Sequence, residues 1–240
     1  TIKADADKLD GKTINGAGNV VVTNLDTDTS AALANITSTG TGNKIDNSDF
    51  SGSFSGTFPD AAFTLDGSGT LTITNSSAIT AGKTMSLNQN AILVADAANV
   101  TGKTIDGSGN ITVNNLNIAT ADADLSGITD NGSVTVNAAD NITFTGSFPA
   151  TAFTLDGDKN VTITDSNAIT SGKLMTINEN NGIISDAANL TGKTIDGSGN
   201  ITVNKLNDTP AADLSGITNN ASVTVNAADN LTFTGSFPAT

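Results

Sequence analysis

Cysteine, histidine, arginine, tryptophan and tyrosine are absent from this chain of 240 residues. Without cysteine or histidine the chain has no disulfide, thiol nucleophile, histidine base, zinc finger or haem ligand. All ten cations are lysines, and 24 acidic residues bring the net charge to −14. Nucleic-acid binding takes its affinity from lysine and arginine, so this balance argues against a nucleic-acid partner. No apolar run approaches the roughly 18 residues of a membrane span, so we predict no membrane insertion.

Apolar material is scarce as well. Aromatic residues make up 4% of the chain and hydrophobic residues 37%. A conventional globular core of this size would use more of both. The apolar residues must therefore be arranged regularly, with a few contributed by each structural unit.

The chain consists of internal repeats with a period of about 90 residues, and such repeats decide the fold. The segment TGKTIDGSGNITVN occurs at 101–114 and again, unchanged, at 191–204. SVTVNAADNITFTGSFPAT at 133–151 returns at 222–240 with one Ile-to-Leu change. We predict one continuous repeat array over residues 1–240, with units at about 4–94, 95–184 and 185–240, the last truncated.

A shorter period of about 20 residues lies inside the long one. It relates two sets of residues, which we expect to stack as an amide ladder and as one inward apolar column. The predicted ladder is Asn160, Asn180 and Asn200, and the predicted column is Phe144, Ile163, Ile183 and Val203. Between these positions, short segments alternate β-branched apolar residues with threonine, a pattern typical of half-buried strands. Gly, Asn and Asp separate them, as tight corners require.

These features predict an all-β fold, a right-handed parallel β-solenoid with coils of about 18–20 residues grouped in the 90-residue repeats. Five coils would fill each repeat, giving about 12–13 coils and a length of roughly 60 Å at about 4.8 Å per coil. The alternative is a string of tandem β-sandwich domains, each one repeat long. That alternative explains the long period but not the shorter one.

Aspartates in the DGSGN and DGDKN turns are candidate metal ligands. They are Asp106, Asp156, Asp158 and Asp196. Calcium requires six to eight oxygen ligands, and the full calcium-loop patterns are missing. We therefore interpret these residues mainly as turn formers, predict no cofactor and no structural metal, and leave weak surface calcium binding as an alternative.

Threonine pairs of the form Thr-x-Thr recur along the strands, at 72/74, 143/145, 162/164 and 232/234. A flat threonine array would form an adhesive or ice-binding face. By the 20-residue spacing, however, the row lapses at Gly182 and Ile184. Lysines in the [ST]GK segments, Lys103, Lys173 and Lys193, are expected to be exposed charges that discourage lateral sheet pairing. The aspartates fall on periodic turns instead of converging, so we predict that the chain is not an enzyme.

The tandem of TGKTIDGSGNITVN, SVTVNAADNITFTG and FTLDGDKNVTIT resembles the repeat region of giant bacterial surface proteins and adhesins along the whole chain. This resemblance implies a secreted or surface-attached, acidic, elongated β-repeat fibre. It carries over no site residues.

We therefore predict a structural, non-catalytic extender or filament segment of a large secreted or cell-surface protein, with an extracellular or cell-surface location. The alternative is an adhesive or ice-binding module that uses outward threonine ladders. The uncapped repeats predict self-association end to end or into filaments, and a cell-surface or carbohydrate partner is a further expectation.

Overall fold

Alternating apolar and polar residues form short parallel strands throughout the chain. The computed structural model describes residues 1–129, 132–218, 221–227 and 229–239. It shows an all-β fold, a β-solenoid of about 11 turns with 9% helix. The tandem β-sandwich alternative is wrong, because strand pairs in the structure are parallel, whereas sandwich strands pair antiparallel.

The chain divides into two compact units, Thr1–Val113 with Gly127–Ser133, and Asn114–Ser126 with Val134–Thr240. The expectation of one continuous array over residues 1–240 stays a prediction. The strands of the first unit are β1 (Ile2–Asp5), β2 (Val20–Thr23), β3 (Lys44–Asp46), β4 (Gly52–Phe54), β5 (Phe63–Asp66), β6 (Thr70–Ile73), β7 (Thr84–Leu87), β8 (Ile92–Asp96) and β9 (Thr104–Gly107). β10 (Asn110–Leu116) contributes residues to both units. Within the first unit, one sheet has the order β1-β2-β3-β5-β7-β9, and β4, β6 and β8 lie side by side in another.

The second unit repeats this alternation between two sheets. Its strands are β11 (Val134–Ala138), β12 (Ile142–Phe144), β13 (Phe153–Asp156), β14 (Asn160–Ile163), β15 (Leu174–Ile177), β16 (Gly182–Asp186), β17 (Thr194–Gly197), β18 (Asn200–Asn204) and β19 (Ser222–Val225). One sheet holds β11-β13-β15-β17 and the other β12-β14-β16-β18-β19. From β11 to β18, successive strands alternate between the two sheets, whereas β19 follows β18 in the same sheet.

Helices are short and recur once per repeat. Within the part of the chain that the structure describes, the one-turn α-helices are α1 (Ala6–Leu9), α2 (Ala97–Val100) and α3 (Ala187–Leu190). In the same part, 3₁₀ turns lie at Leu25–Thr27, Ile118–Thr120 and Leu206–Asp208. The first and last residues of each α-helix are buried, so these helices turn corners of the coil while keeping its core filled.

The core is a stack of inward side chains contributed a few at a time. In β13, Phe153 and Leu155 are buried while Thr154 and Asp156 are half-buried, as alternation along a strand requires. Phenylalanines form two triplets, with ring centroids 4.6 and 5.2 Å apart in Phe54–Phe58–Phe63 and 4.3 and 5.0 Å apart in Phe144–Phe148–Phe153. Six of the nine phenylalanines therefore act together within the lean core.

The predicted inward column is wrong in one member. Phe144 pairs with Ile163, Ile163 with Ser185, and Ser185 with Val203. Ile183 is buried in the neighbouring column, between Val161 and Ile201. Phe144, Ile163 and Val203 thus share a column in which Ser185 takes the place predicted for Ile183. The buried Ser185 hydroxyl donates a hydrogen bond of 2.7 Å to the Ile163 carbonyl, which satisfies its polar atom.

Unequal turns explain this error. Ile2 pairs with Val20 whereas Ala32 pairs with Thr57, so turn lengths range from 18 to 25 residues. A long turn before Ser185 and a short one after it restore the average spacing of 20, which hides the shift. The longer turns also reduce the number of coils from the predicted 12–13 to about 11.

The 90-residue repeat is not a whole number of turns. In the second unit, register runs from Thr135 through Thr154 and Thr176 to Asp196. The bridge of Ile195 to Ile217 then places Thr218 at the next step. The sequence copy of Thr135, however, is Thr224, which lies in β19 of the other sheet. The expectation of five coils per repeat is therefore wrong, since a repeat holds four turns and part of a fifth.

Corners between strands depend on glycine where the chain approaches the previous coil. Gly157 has φ of +112°, and a Cβ added there would lie 2.1 Å from the carbonyl oxygen of Ala138. Neither the dihedral angle nor the space suits another residue. The Asp-Gly turns of the sequence are thus tight corners, as predicted.

Candidate functional site

The four candidate metal-ligating aspartates lie on the outside of the coils. Asp106, Asp156 and Asp196 are half-buried in β9, β13 and β17, and Asp158 is exposed in a turn with φ of +56°. Their strand neighbours in the adjacent coils are neutral: Asp106 pairs with Ser86, Asp156 with Asn137, and Asp196 with Thr176. Like charges are therefore not stacked at these three positions.

Two of these carboxylates already serve the turns that contain them. Asp156 accepts a hydrogen bond of 2.8 Å from the Gly157 amide, and Asp196 accepts one of 2.7 Å from the Gly197 amide. In the described ranges, no group of three or more Asp or Glu residues is arranged to hold a metal ion. Weak surface calcium binding stays an untested alternative.

A second aspartate motif, which sequence reasoning missed, fixes other corners. In four Asp-x-Ser segments the aspartate accepts hydrogen bonds from the amide and the hydroxyl of the serine two residues later. These pairs are Asp28–Ser30, Asp46–Ser48, Asp124–Ser126 and Asp213–Ser215. The Ser215 hydroxyl, followed by its amide, lowers the pKa of Asp213. The repeated D-L-S-G-I-T segments at 124–129 and 213–218 carried the signal.

The predicted ladder of Asn160, Asn180 and Asn200 is wrong. Asn160 and Asn200 share a row, but Gly182 stands between them. Asn180 lies outside this row, exposed in a turn with φ of +70°. The same unequal turns that displaced Ile183 displace Asn180.

Amide-to-amide contacts form between other asparagines. The Asn137 side chain donates to Asn114 at 2.7 Å, and Asn226 donates to Asn204 at 2.9 Å. These two pairs occupy the same position in successive sequence copies. Stacked amides do join neighbouring coils, therefore, but at residues that the 20-residue spacing did not select.

Three buried asparagines join coils through backbone groups, and sequence reasoning missed them. Asn181 accepts from the Lys159 amide at 3.0 Å and donates to the Leu155 carbonyl at 3.1 Å. Asn43 accepts from the Val20 amide, and Asn47 donates to the Gly69 carbonyl at 2.7 Å. Asn43 and Asn47 flank β3, each two residues from the buried Ile45, so strand alternation could have revealed their inward position.

The lysines of the [ST]GK segments differ in exposure. Lys173 is exposed as predicted and Lys103 is half-buried, but Lys193 is only 7% exposed. The Lys193 ammonium donates to the Ile169 carbonyl at 2.7 Å and to the Ser171 hydroxyl at 3.3 Å. The prediction of an exposed charge is therefore wrong for Lys193, which links two coils.

Ion pairs between neighbouring coils shift the pKa of Lys44, Asp66 and Lys205. The Lys44 ammonium lies 2.7 Å from Asp66, and the Asn88 amide also donates to this carboxylate. Lys44, followed by Asn88, lowers the pKa of Asp66, and Asp66 raises the pKa of Lys44. Lys205 lies 2.8 Å from Asp186, which raises the pKa of the lysine.

The first unit has a cleft of about 320 Å³ lined by Lys3, Asp5, Thr23, Asn24, Asp46, Asp49 and Phe50. Asp5 accepts hydrogen bonds from Thr23 at 2.7 Å and Asn24 at 2.8 Å. Asp46 is engaged by Ser48, as in the other Asp-x-Ser turns. These two carboxylates therefore hold neighbouring backbone and side-chain groups in place.

A row of outward threonines in the second unit is more regular than the sequence spacing predicted. Register places Thr143, Thr162, Ile184, Thr202 and Thr224 in line on the sheet from β12 to β19. Gly182 pairs with Asn160, so it does not interrupt the threonine row as expected. A groove of about 270 Å³ beside the row is lined by Asn141, Ile142, Thr143, Asn160, Thr162 and Ile184.

The rows on either side of this threonine row are not threonine rows. Ser185 is buried, and Asp186 pairs with Asn204 on one side of the row. On the other side, Asn160, Gly182 and Asn200 are succeeded by Ser222. The face thus carries a single β-branched line bordered by polar groups.

Comparison of the chain with protein-family models, curated proteins and solved structures finds no match. Among the described residues, no helix combines the length and apolar character needed to cross a membrane. The structure therefore defines the class as a parallel β-solenoid, and the function must be argued from its coils.

Proposed function

We propose that this chain is a structural, non-catalytic extender segment of a large secreted or cell-surface repeat protein. The observation that carries this proposal is the continuity of parallel pairing from coil to coil within each unit. In the first unit, inward residues Val22, Ile45, Leu65 and Leu87 pair in succession. Each coil thus completes the hydrogen bonds and apolar contacts of its neighbour, so added repeats extend the same core.

The use of polar side chains supports the same function. Asp156, Asp196 and the Asp-x-Ser aspartates hold their own turns, and Asn43 and Asn181 join adjacent coils. These polar groups are distributed along the array, where they bond to its turns and to backbone groups of adjacent coils. The location outside the cell and the resemblance to bacterial surface repeats belong to this proposal, as does self-association of coils end to end.

The length of multi-repeat chains tests the proposal. Variants with two, three and four copies of residues 91–180 should gain a constant length of about 20 Å per copy in small-angle X-ray scattering. A maximum dimension that stops growing with copy number would contradict an extender. A matched series with Ile163→Asp in every copy should lose the increment, since each copy then carries a charge in its core.

A second candidate function is an adhesive or ice-binding face. It is favoured by the registered row of Thr143, Thr162, Ile184, Thr202 and Thr224. Threonines on adjacent parallel strands repeat at about 4.8 Å, which suits a regular surface. Thermal hysteresis of the chain should then fall sharply in Thr162→Lys and remain in Thr154→Lys, which alters the other sheet. Equal hysteresis in both variants, or none in the unaltered chain, would exclude this candidate.

A further inference from the structure

The cleft of about 320 Å³ in the first unit lies across three successive coils. Its lining residues belong to β1, to the end of β2, and to the end of β3 with the turn that follows. Because β2 pairs with β1 on one side and with β3 on the other, the cleft is bounded within this unit. Its volume falls at the lower end of the range for small-ligand pockets, roughly 300–1,000 Å³.

Later sequence copies of this region carry an amide bridge where the first copy has the cleft. Residues 19–50 have counterparts at 110–141 and at 200–230. In the second unit, Asn137 donates to Asn114 at 2.7 Å, and Asn226 donates to Asn204 at 2.9 Å. Each bridge joins the side chains of two neighbouring coils on the outward face.

The first copy has neither asparagine of that bridge. Thr23 stands in the place of the accepting asparagine, and Asp46 in the place of the donating one. The Thr23 hydroxyl donates to Asp5 in β1 at 2.7 Å, and Asp46 accepts from Ser48 in its own turn. Phe50, which replaces an asparagine of both later copies, lines the cleft with 7% of its surface exposed. These substitutions account for an opening at this place.

The mixed chemistry of the lining restricts the ligand. Lys3 opposes a cationic ligand, and the carboxylates of Asp5, Asp46 and Asp49 oppose an anionic one. In the part of the chain that the structure describes, no three acidic residues are arranged to hold a metal ion. The lining offers donors at Lys3 and Asn24 and acceptors at the aspartates. It therefore fits a neutral ligand whose groups both donate and accept, which is the property of hydroxyl groups.

We propose that this cleft binds one neutral sugar residue. The sugar hydroxyls donate to the carboxylates of Asp46 and Asp49 and accept from the Lys3 ammonium. The exposed part of Phe50 contacts the C–H groups of the sugar ring. This binding function is additional to that of an extender. Because the later copies are bridged at the equivalent place, the site is a property of the first copy and not of the repeat.

Titration of the isotope-labelled full chain with the methyl glycosides of glucose, galactose, mannose and N-acetylglucosamine tests the proposal by NMR. At least one glycoside should give saturable shifts of the Thr23, Asn24 and Asp49 amides, with a Kd of about 1–10 mM. Its affinity should change by less than about twofold between about 50 and 500 mM sodium chloride, because salt does not screen a neutral ligand. Spermidine serves as the cationic control. Tighter binding of spermidine than of every glycoside, lost at high salt, would make the cleft a cation site and overturn the proposal.

Matched changes in the chain locate the site. Asp49→Asn should weaken binding at least about fivefold, whereas Asp106→Asn, the same charge change in β9, should leave it within about twofold. The double variant Thr23→Asn with Asp46→Asn introduces the bridging asparagines of the later copies and should abolish the saturable shifts, with circular dichroism confirming its fold. Absence of saturable shifts for all four glycosides, equal binding by Asp49→Asn and the unaltered chain, or full binding by the folded double variant would overturn the proposal. None of these results would alter the growth of length with repeat number, so the sugar site and the extender function can fail separately.

Discussion

The identical segments at 101–114 and 191–204 treat their apolar residues alike and their lysines differently. Ile105 and Ile195 are both fully buried, and each pairs with a methionine of the preceding coil. Lys103, however, is half-buried, while Lys193 is almost fully buried. Among the differences between the preceding coils, Ala81 in the first copy corresponds to Ser171 in the second, and Ser171 is the residue whose hydroxyl accepts from Lys193.

Apolar and polar side chains depend on the neighbouring coil in different ways. Beyond the methionines, Ile105 and Ile195 also bridge to isoleucines, Ile128 and Ile217, so each copy finds similar apolar surroundings for its isoleucine. A polar side chain depends on one or two groups in the neighbouring coil, and Ser171 supplies a hydroxyl where Ala81 has a methyl group. Identical sequence therefore guarantees the core of a coil but not its polar contacts.

The largest effect should come from charging the column in either copy. Ile105→Asp and Ile195→Asp should each reduce the free energy of unfolding by about 4 kcal/mol or more, because an unpaired carboxylate replaces a buried side chain. Chemical denaturation of both variants measures this. The outward controls Thr104→Lys and Thr194→Lys should change stability by less than about 0.5 kcal/mol. A large difference between the two isoleucine variants would show that the copies do not share an equivalent core.

An intermediate effect should distinguish the two lysines. Lys193→Ala should cost about 1–3 kcal/mol, because it leaves the Ile169 carbonyl without the ammonium that it accepts from. Lys103→Ala should cost less than about 0.5 kcal/mol. Thermal and urea unfolding of the two variants test the difference. Ser171→Ala provides a further test of this difference. It removes the hydroxyl that accepts from Lys193, so the acetylation rate of Lys193, measured by mass spectrometry, should rise. Equal costs for the two lysines would contradict the contrast drawn from their burial.

A smaller effect should follow acidification through the Lys44–Asp66 pair of the first unit. The folded-state pKa of Asp66 is lowered by Lys44 and Asn88, so its contribution is fully present above the unfolded value of about 3.8. It is lost as pH falls through the lower folded pKa. We expect less than about 1 kcal/mol for this partly exposed pair. Stability of Asp66→Asn and Lys44→Met between pH 2 and 7 should show a flatter acid limb than the unaltered chain. An unchanged slope of stability against pH in both variants would show that the ion pair does not contribute to the acid dependence of stability.

The smallest expected effect is that of chelation. EDTA should leave the circular dichroism spectrum and the melting temperature unchanged, because Asp156 and Asp196 already bond their own turns. The same measurement with added calcium serves as the control. A fall of many degrees in EDTA, reversed by calcium, would make the turn aspartates structural ligands in one or both copies.

Strand alternation and repeats were sufficient to predict the fold, because inward parity survives any change in turn length. Register was not predictable in the same way. Insertions and deletions in the turns cancel over two coils, so Ile183 and Asn180 looked aligned with residues that they do not contact. Asn43, Asn47 and Asn181 occupy inward positions that a hydropathy pattern assigns to apolar residues. Their roles depend on backbone groups of another coil, which no local segment of the sequence encodes.

In the second unit, the sequence repeat is not a whole number of turns, so equivalent residues of successive repeats lie on different sides of the coil. β11 and β19 share the sequence Val-Thr-Val, at 134–136 and 223–225, yet they belong to different sheets. A residue that recurs once per repeat therefore changes its azimuth about the coil axis with each recurrence. Residues that face the same way, such as Thr135 and Thr218, are separated by whole turns and belong to different sequence contexts. Duplication of this repeat therefore places each new copy of a surface residue at a different position around the coil.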